Sequence, residues 1–141
     1  MTDEPIRVLH IDDHCLWRSA VADHLSLLDT YLIRSVESGE SAIQILKKEQ
    51  FDVIVSDYEM PGMNGIQVLK QVQSLRLDIP FILFTGMNSP ELIREAKEYG
   101  ADFCLHKCGI PERVFHELHD RIHLAINRRA GRYNNAVSDG H

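Results

Sequence analysis

Asp52-Val53-Ile54-Val55-Ser56-Asp57-Tyr58-Glu59-Met60-Pro61-Gly62-Met63-Asn64-Gly65 is the stretch that decides the fold. Val53-Ile54-Val55 is near-continuously apolar, as expected of a strand covered on both faces. The run stops at an acidic residue, Asp57. Asn64 then suits a helix N-cap, and the following Ile66, Leu69 and Val72 share one helical face. The stretch therefore reads as strand, acidic loop, helix.

Outward from it, the same unit recurs. Strands are expected at Ile6–Ile11, Tyr31–Val36, Asp52–Ser56, Phe81–Phe84 and Asp102–His106. Helical faces follow each: Trp17, Ala20, Val21, His24 and Leu28; Ala42, Ile45 and Leu46; Ile66, Leu69 and Val72; Leu92, Ala96 and Tyr99; Val114, Leu118, Ile122 and Ala125. Ser89 is a second N-cap candidate, Pro90 and Pro111 suit first helical positions, and Gly100 suits a left-handed helix end. Five strand–helix units imply an α/β fold, a five-stranded parallel sheet with helices on both faces. From about Ala130 the pattern stops, so the chain divides into a domain over 5–129 and a polar tail or linker over 130–141.

The 141 residues amount to one domain with one real core. A 44% hydrophobic and 26% charged composition is that of an ordinary globular chain. Fifteen Lys+Arg against 21 Asp+Glu, net −6, argues against nucleic-acid and anionic-membrane binding, which need a positive surface. Met1 is followed by the acidic Thr2-Asp3-Glu4-Pro5, unlike a signal peptide. With three unpaired cysteines, Cys15, Cys104 and Cys108, the reading is a cytoplasmic protein in a reducing environment.

Ligands of open parallel sheets bind beyond the carboxyl ends of the strands. Those positions hold Asp12 and Asp13, Asp57, Thr85 and Lys107. Any one of them also reads as an ordinary solvated loop residue; their joint placement at successive strand ends does not. Three clustered carboxylates require neutralisation, which Lys107 and one divalent cation, Mg²⁺ (or Mn²⁺), supply. A carboxylate nucleophile beside a metal and an ammonium points to phosphoryl chemistry.

Ile11-Asp12-Asp13, the D-x-x-M-P-x-x-x-G run from Asp57 to Gly65, Phe84-Thr85-Gly86, and Gly100-Ala101-Asp102 leading to Lys107 together resemble the response-regulator receiver domain of two-component signalling, over residues ~6–128. The resemblance implies a flavodoxin-like (βα)5 fold with strand order 2-1-3-4-5. It implies that Asp57 is the phosphoacceptor. Asp13 and Asp57 would ligate the metal directly with the backbone carbonyl of Glu59, and Asp12 mostly through water. Lys107 and Thr85 would contact the phosphoryl group, Gly86 would leave access to it open, and Glu59 and Met87 would tune its lifetime. The implied partners are a sensor histidine kinase or phosphotransfer protein and an unidentified downstream protein or domain, with a homodimer compatible and no direct nucleic-acid binding or membrane insertion. The implied role is a phosphorylation-controlled switch rather than an enzyme, with at most slow self-phosphorylation and self-dephosphorylation.

Two residues depart from the family pattern. Cys108 follows the lysine where proline is usual, so a trans Lys107–Cys108 bond is expected. Cys104 replaces the usual switching Tyr or Phe, while Phe103 should face the other side of the strand. An aspartate-nucleophile phosphatase fits less well, since its second acid is not matched by Tyr58-Glu59. A flavin protein lacks its phosphate loop here, and a degenerate receiver would not keep the whole acidic set. Elsewhere, His116, His119 and His123 share a face of the last helix, read as solvated or partner-contacting ahead of metal-binding. His10 is expected as a hydrogen-bonded interior residue and Trp17 as core. Arg128, Arg129 and Arg132 suit a helix C-terminus.

Overall fold

The computed structural model describes residues 4–87 and 89–139, with 132–139 described as backbone. Five strands alternate with five helices: β1 (Ile6–Ile11), α1 (Cys15–Ser26), β2 (Tyr31–Val36), α2 (Gly39–Leu46), β3 (Val53–Ser56), α3 (Gly65–Ser74), β4 (Phe81–Thr85), α4 (Pro90–Glu98), β5 (Phe103–His106) and α5 (Pro111–Asp139). All four strand pairings are parallel, and the sheet order is β2-β1-β3-β4-β5. The expected architecture holds.

β3 and β5 each begin one residue later than expected, and for one reason. Asp52 and Asp102 turn their carboxylates back onto the neighbouring strand, accepting the Arg7 and Phe81 N–H groups at 2.8 and 2.9 Å. Their own N–H groups donate to the Arg7 and Phe81 carbonyls at 2.8 Å. Each aspartate thus closes the lower end of its ladder with both a side-chain and a backbone bond.

Alternation along the buried strands divides the core in two. Leu9, Ile11, Ile54, Phe81 and Leu83 face α2, α3 and α4 through Ala42, Leu46, Ile66, Leu69, Leu92 and Ala96. Val8, Val53, Val55, Ile82 and Phe84 face α1 and α5 through Val21, Leu25, Phe115, Leu118 and Ile122. Cys104 packs with the first cluster and Phe103 with the second, on opposite sides as expected.

The helix signals hold in detail. Asn64 Oδ1 accepts the Gln67 N–H at 2.9 Å while Gln67 Oε1 accepts the Asn64 N–H at 2.8 Å, a reciprocal capping box. Ser89 Oγ caps α4 through the Leu92 N–H, and Pro90 and Pro111 open their helices. Gly100 adopts φ 94°, the left-handed conformation that releases the chain from α4. Among described residues no peptide bond is cis, in keeping with the trans expectation at Lys107–Cys108. No described helix is long and apolar enough to cross a membrane.

Several expectations are corrected. Leu28 lies beyond the end of α1 and is exposed; Leu25 takes the buried position in its place. Tyr99 is likewise exposed at the end of α4. In the stretch read as a polar tail or linker, α5 runs on as helical backbone to Asp139. What ends near Ala130 is the apolar periodicity, and the last buried position among the described side chains is Ala125. A helix needs only its own backbone bonds to continue, and no proline interrupts this one. The arginines therefore do not sit at a helix C-terminus. Arg129 grips Asp102 through Nη2 at 2.7 Å and Nε at 3.1 Å and also pairs with Asp78. Arg128 lies over the Phe103 ring. The Arg132 side chain lies outside the described residues.

The two-pronged grip of Arg129 ties α5 to the start of β5 across a half-buried contact. Arg129→Met should lower stability by about 1–3 kcal/mol, between the values of exposed and buried ion pairs. Urea unfolding should show a lower midpoint at unchanged slope; an unmoved midpoint would contradict the assignment.

Candidate functional site

Sheet-like backbone bonds continue past the strand ends and lock the tips together. Asp12 N–H donates to the Val36 carbonyl at 3.0 Å, Asp57 N–H to Ile11 at 2.9 Å, and Lys107 N–H to Thr85 at 2.9 Å. Because β1 and β3 are neighbours, Asp12, Asp13 and Asp57 meet at one edge, with carboxylate oxygens within 4.8 Å of one another. Lys107, on the far strand, reaches back across β4. Its Nζ lies 2.6 Å from Asp12 Oδ2 and 3.4 Å from Asp57 Oδ2.

Gly65 makes the approach of α3 to this edge feasible. A Cβ there would lie 2.3 Å from the Asp57 carbonyl oxygen and 2.8 Å from Leu83. Any side chain would push the acidic loop off β3, which explains why the loop that begins at Asp57 ends on glycine.

Asp12 is fully buried and fully engaged. Oδ2 accepts from Lys107, Oδ1 from the His14 N–H at 3.0 Å, and its carbonyl from Arg18 Nη1 at 2.9 Å. Asp57 Oδ1 accepts the Tyr58 N–H at 2.7 Å. Asp13 Oδ1 is shielded from solvent without a hydrogen-bond partner among the described residues. Burial pushes the Asp57 carboxyl above the ordinary aspartate range, the Asp12 charge adds to the rise, and Lys107 opposes it. Three carboxylates and one ammonium leave two negative charges, the charge a divalent cation neutralises.

His10, under the site, is not the hydrogen-bonded interior residue expected. Its Nδ1 has no partner among the described residues and its Nε2 stands 3.9 Å from Asp12 Oδ2. Burial drives its pKa down to about 4, so the ring is neutral at physiological pH. Trp17 is not simply core either. It is half-buried, and the Lys107 ammonium sits 4.6 Å from its ring centroid, with Phe84 at 5.8 Å on the same cation.

A cleft of about 310 Å³ opens over Asp57, lined by Glu59, Thr85, Gly86, Met87 and Lys107 together with His14 and Trp17. Thr85 is buried, and its Oγ1 accepts the Met87 N–H at 3.2 Å. A Cβ on Gly86 would meet nothing within 4 Å, so that side of the cleft is open. His106 Nε2 donates to the Gly86 carbonyl at 3.0 Å, pinning the loop after β4 to β5. Cys104 is half-buried on the opposite face of β5 from Phe103, and burial pushes its thiol pKa up.

The structure thus brings Asp12, Asp13, Asp57, Thr85 and Lys107 to one edge, with Glu59, Gly86 and Met87 beside it. Sequence reasoning missed His14, Arg18 and His106, and it placed Trp17 against the core, where it packs on Phe84 and Phe115, without its contact to Lys107. The signal for the first two was their position, within six residues of Asp12 at the start of α1. Nothing in the sequence marks His106.

Comparison with known proteins agrees with this geometry. The family model described as "Response regulator receiver domain" matches residues 8–119. The nitrate/nitrite response regulator protein NarL of Escherichia coli is 32% identical over 117 residues, covering 82% of this chain and 54% of that protein. The sensor histidine kinase RcsC of Escherichia coli is 31% identical over 105 residues, 74% of this chain and 11% of that protein. The chain therefore spans about half the length of the regulator and a small part of the kinase. Among solved structures, the chemotaxis response regulator CheY4 of Vibrio cholerae superposes with a TM-score of 0.74 at 32% identity, covering 84% of this chain and 99% of that one.

The raised pKa of Asp57 has a sign that can be measured. Stability contributed by a carboxyl with a raised folded pKa is present below its unfolded value and lost as pH rises through the folded value. In metal-free buffer at pH 7, Asp57→Asn should therefore be more stable than the unaltered protein. The gain should shrink as pH falls through the raised pKa and be gone below 3.8, the ordinary aspartate value. Urea midpoints in EDTA across this range decide it; a gain that grows on acidification has the wrong sign.

Proposed function

Because this chain belongs to the response regulator receiver domain family of two-component signalling, we propose that Asp57 is its phosphoacceptor and that the cleft over it receives the phosphoryl group. Receiver domains are signalling modules, generally without enzymatic activity, that interact with histidine kinases or phosphotransfer proteins. The observation that carries the reading is Lys107, whose buried ammonium lies between the carboxylates of Asp12 and Asp57 at the floor of an open cleft.

Receiver domains generally bind Mg²⁺ at an acidic pocket, and the residues here suit one. The side-chain donors are carboxylate oxygens of Asp12, Asp13 and Asp57 that converge within 4.8 Å, and Asp13 Oδ1 lacks any hydrogen-bond partner among the described residues. Asp13 and Asp57 would hold Mg²⁺ (or Mn²⁺) with the Glu59 carbonyl, and Asp12 through water. When bound, the cation supplies charge neutralisation at the phosphoryl oxygens.

In the transfer, an Asp57 carboxylate oxygen forms a bond to phosphorus as the P–N bond of a phosphohistidine, or the P–O bond of acetyl phosphate, breaks. The leaving group departs with that electron pair. Lys107 donates hydrogen bonds to the equatorial oxygens, and Asp12 holds the ammonium in place for this. Thr85 turns its hydroxyl toward the phosphoryl group once it is attached, drawing on the loop through Met87. Glu59 and Met87, at the rim of the cleft, govern water access. With Cys104 in place of a ring, movement of Thr85 is read out through the Thr85-Gly86-Met87 loop and not through an aromatic rotation. Charge and the absence of a spanning helix among the described residues fit a cytoplasmic module.

Incubation with acetyl phosphate or a phosphohistidine donor and Mg²⁺ should add about 80 Da to the intact mass. Asp57→Asn should abolish the addition, and so should EDTA; equal labelling of the Asn variant would refute the assignment. A phosphoryl mimic should move NMR signals mainly between Thr85 and His123, the span of α4, β5 and the first half of α5. Shifts confined to α1 and α2 would place the partner surface elsewhere.

A further inference from the structure

At the opposite end of the sheet from the cleft, a second group of ligand-type side chains converges. Asp29 precedes β2, whose first residue, Tyr31, pairs with Ile6 at the start of β1. His119 and His123 stand one turn apart on α5. A ring nitrogen of each histidine and a carboxylate oxygen of Asp29 lie within 4.8 Å of one another. The reading of this face as solvated or partner-contacting ahead of metal-binding therefore meets a cluster with ligand geometry. His116 stacks on His119 from outside, with ring centroids 6.0 Å apart, and does not join the group.

We propose that Asp29, His119 and His123 form a binding site for a borderline divalent cation of the zinc class, which clamps α5 to the loop between α1 and β2. Three observations carry this. First, His123 Nε2 is shielded from solvent and lies 3.0 Å from Asp29 Oδ2, an ion-pair contact without good hydrogen-bond alignment. Two donors each ~2.0–2.1 Å from a tetrahedral zinc stand roughly 3.3 Å apart, close to the separation seen. Second, the Tyr31 hydroxyl lies 2.7 Å from His119 Nδ1 and fixes that ring, the role outer partners play for metal-binding histidines. Third, two imidazoles and one carboxylate make a donor set for zinc, copper or nickel, whereas Mg²⁺ takes oxygen ligands. The two ends of the sheet thus select different metals. Burial and the neighbouring His123 also lower the His119 pKa, which keeps the ring in its ligating form.

The experiment is a Zn²⁺ titration against a chromophoric chelator, with a parallel Co²⁺ titration followed in the visible spectrum. Both are done on the whole chain with Mg²⁺ in large excess, so that the acidic edge is occupied by the hard cation. One equivalent should bind, with Co²⁺ giving the intense bands of a tetrahedral site, and thermal unfolding should shift upward. His119→Gln and His123→Gln should each abolish this, Tyr31→Phe should weaken it roughly tenfold, and Asp57→Asn should leave it intact. The double variant H119Q/H123Q binding as much zinc as the unaltered protein would overturn the proposal. So would zinc binding lost in Asp57→Asn, which would put the ion in the acidic cleft. A failure of Asp57 to accept phosphate would bear on the other end of the sheet alone.

Discussion

Burying the ammonium of Lys107 imposes a constraint that reaches through the whole upper edge of the sheet. An unpaired ammonium out of water costs several kcal/mol or more, so Lys107 folds inward only because Asp12 and Asp57 wait for it. Asp12, fully buried, has the same need in reverse. The three groups come from the first, third and fifth strands, and each strand must end in register for the charges to meet. The backbone bonds that carry the ladder past Ile11 and Thr85 enforce that register. Trp17 and Phe84 then lie with their rings against the cation, and the cleft over Asp57 opens beside it.

This arrangement keeps the edge poised. Lys107 answers one of three negative charges, Asp13 Oδ1 has no hydrogen-bond partner among the described residues, and Asp57 is held above its ordinary pKa. Each is a cost that the cation and phosphoryl group proposed for this site would relieve. The lower edge is built oppositely. Asp52 and Asp102 close the ladders, and Arg129 binds Asp102 from α5. The sheet is a stiff plate fastened at one end and electrostatically unfinished at the other.

In the function proposed above, alternation of side chains along β5 sets the route by which a change at the cleft would reach the surface. Cys104 turns toward α4 and Phe103 toward α5, where Arg121 and Arg128 lie over its ring. The ring is therefore on the wrong face to follow Thr85, and the sulfur on the correct face is too small to swing. The connection left is short and polar: Thr85 Oγ1 to the Met87 N–H, and the Gly86 carbonyl to His106. Loops held by single hydrogen bonds rearrange at low cost, which suits a switch.

Local sequence was enough for the five strand–helix units, the Asn64 and Ser89 caps, the left-handed Gly100, and the strand-end residues that converge. These follow from local periodicity, turn chemistry and the motif from Asp57 to Gly65, all written in contiguous residues. It did not determine that His10 Nδ1 has no hydrogen-bond partner among the described residues, that Trp17 lies against a cation, or that His106 holds the loop after β4, because each depends on elements distant in the chain. Apolar periodicity reports burial, and a helix outlasts its buried face, so α5 extends beyond the periodic stretch. The histidines of α5 showed their common face in the sequence, but not Asp29 and Tyr31, 88 residues away from His119 in the Tyr31 contact. Only the sheet order, by setting β2 at the edge and folding α5 back beside α1, brings them together.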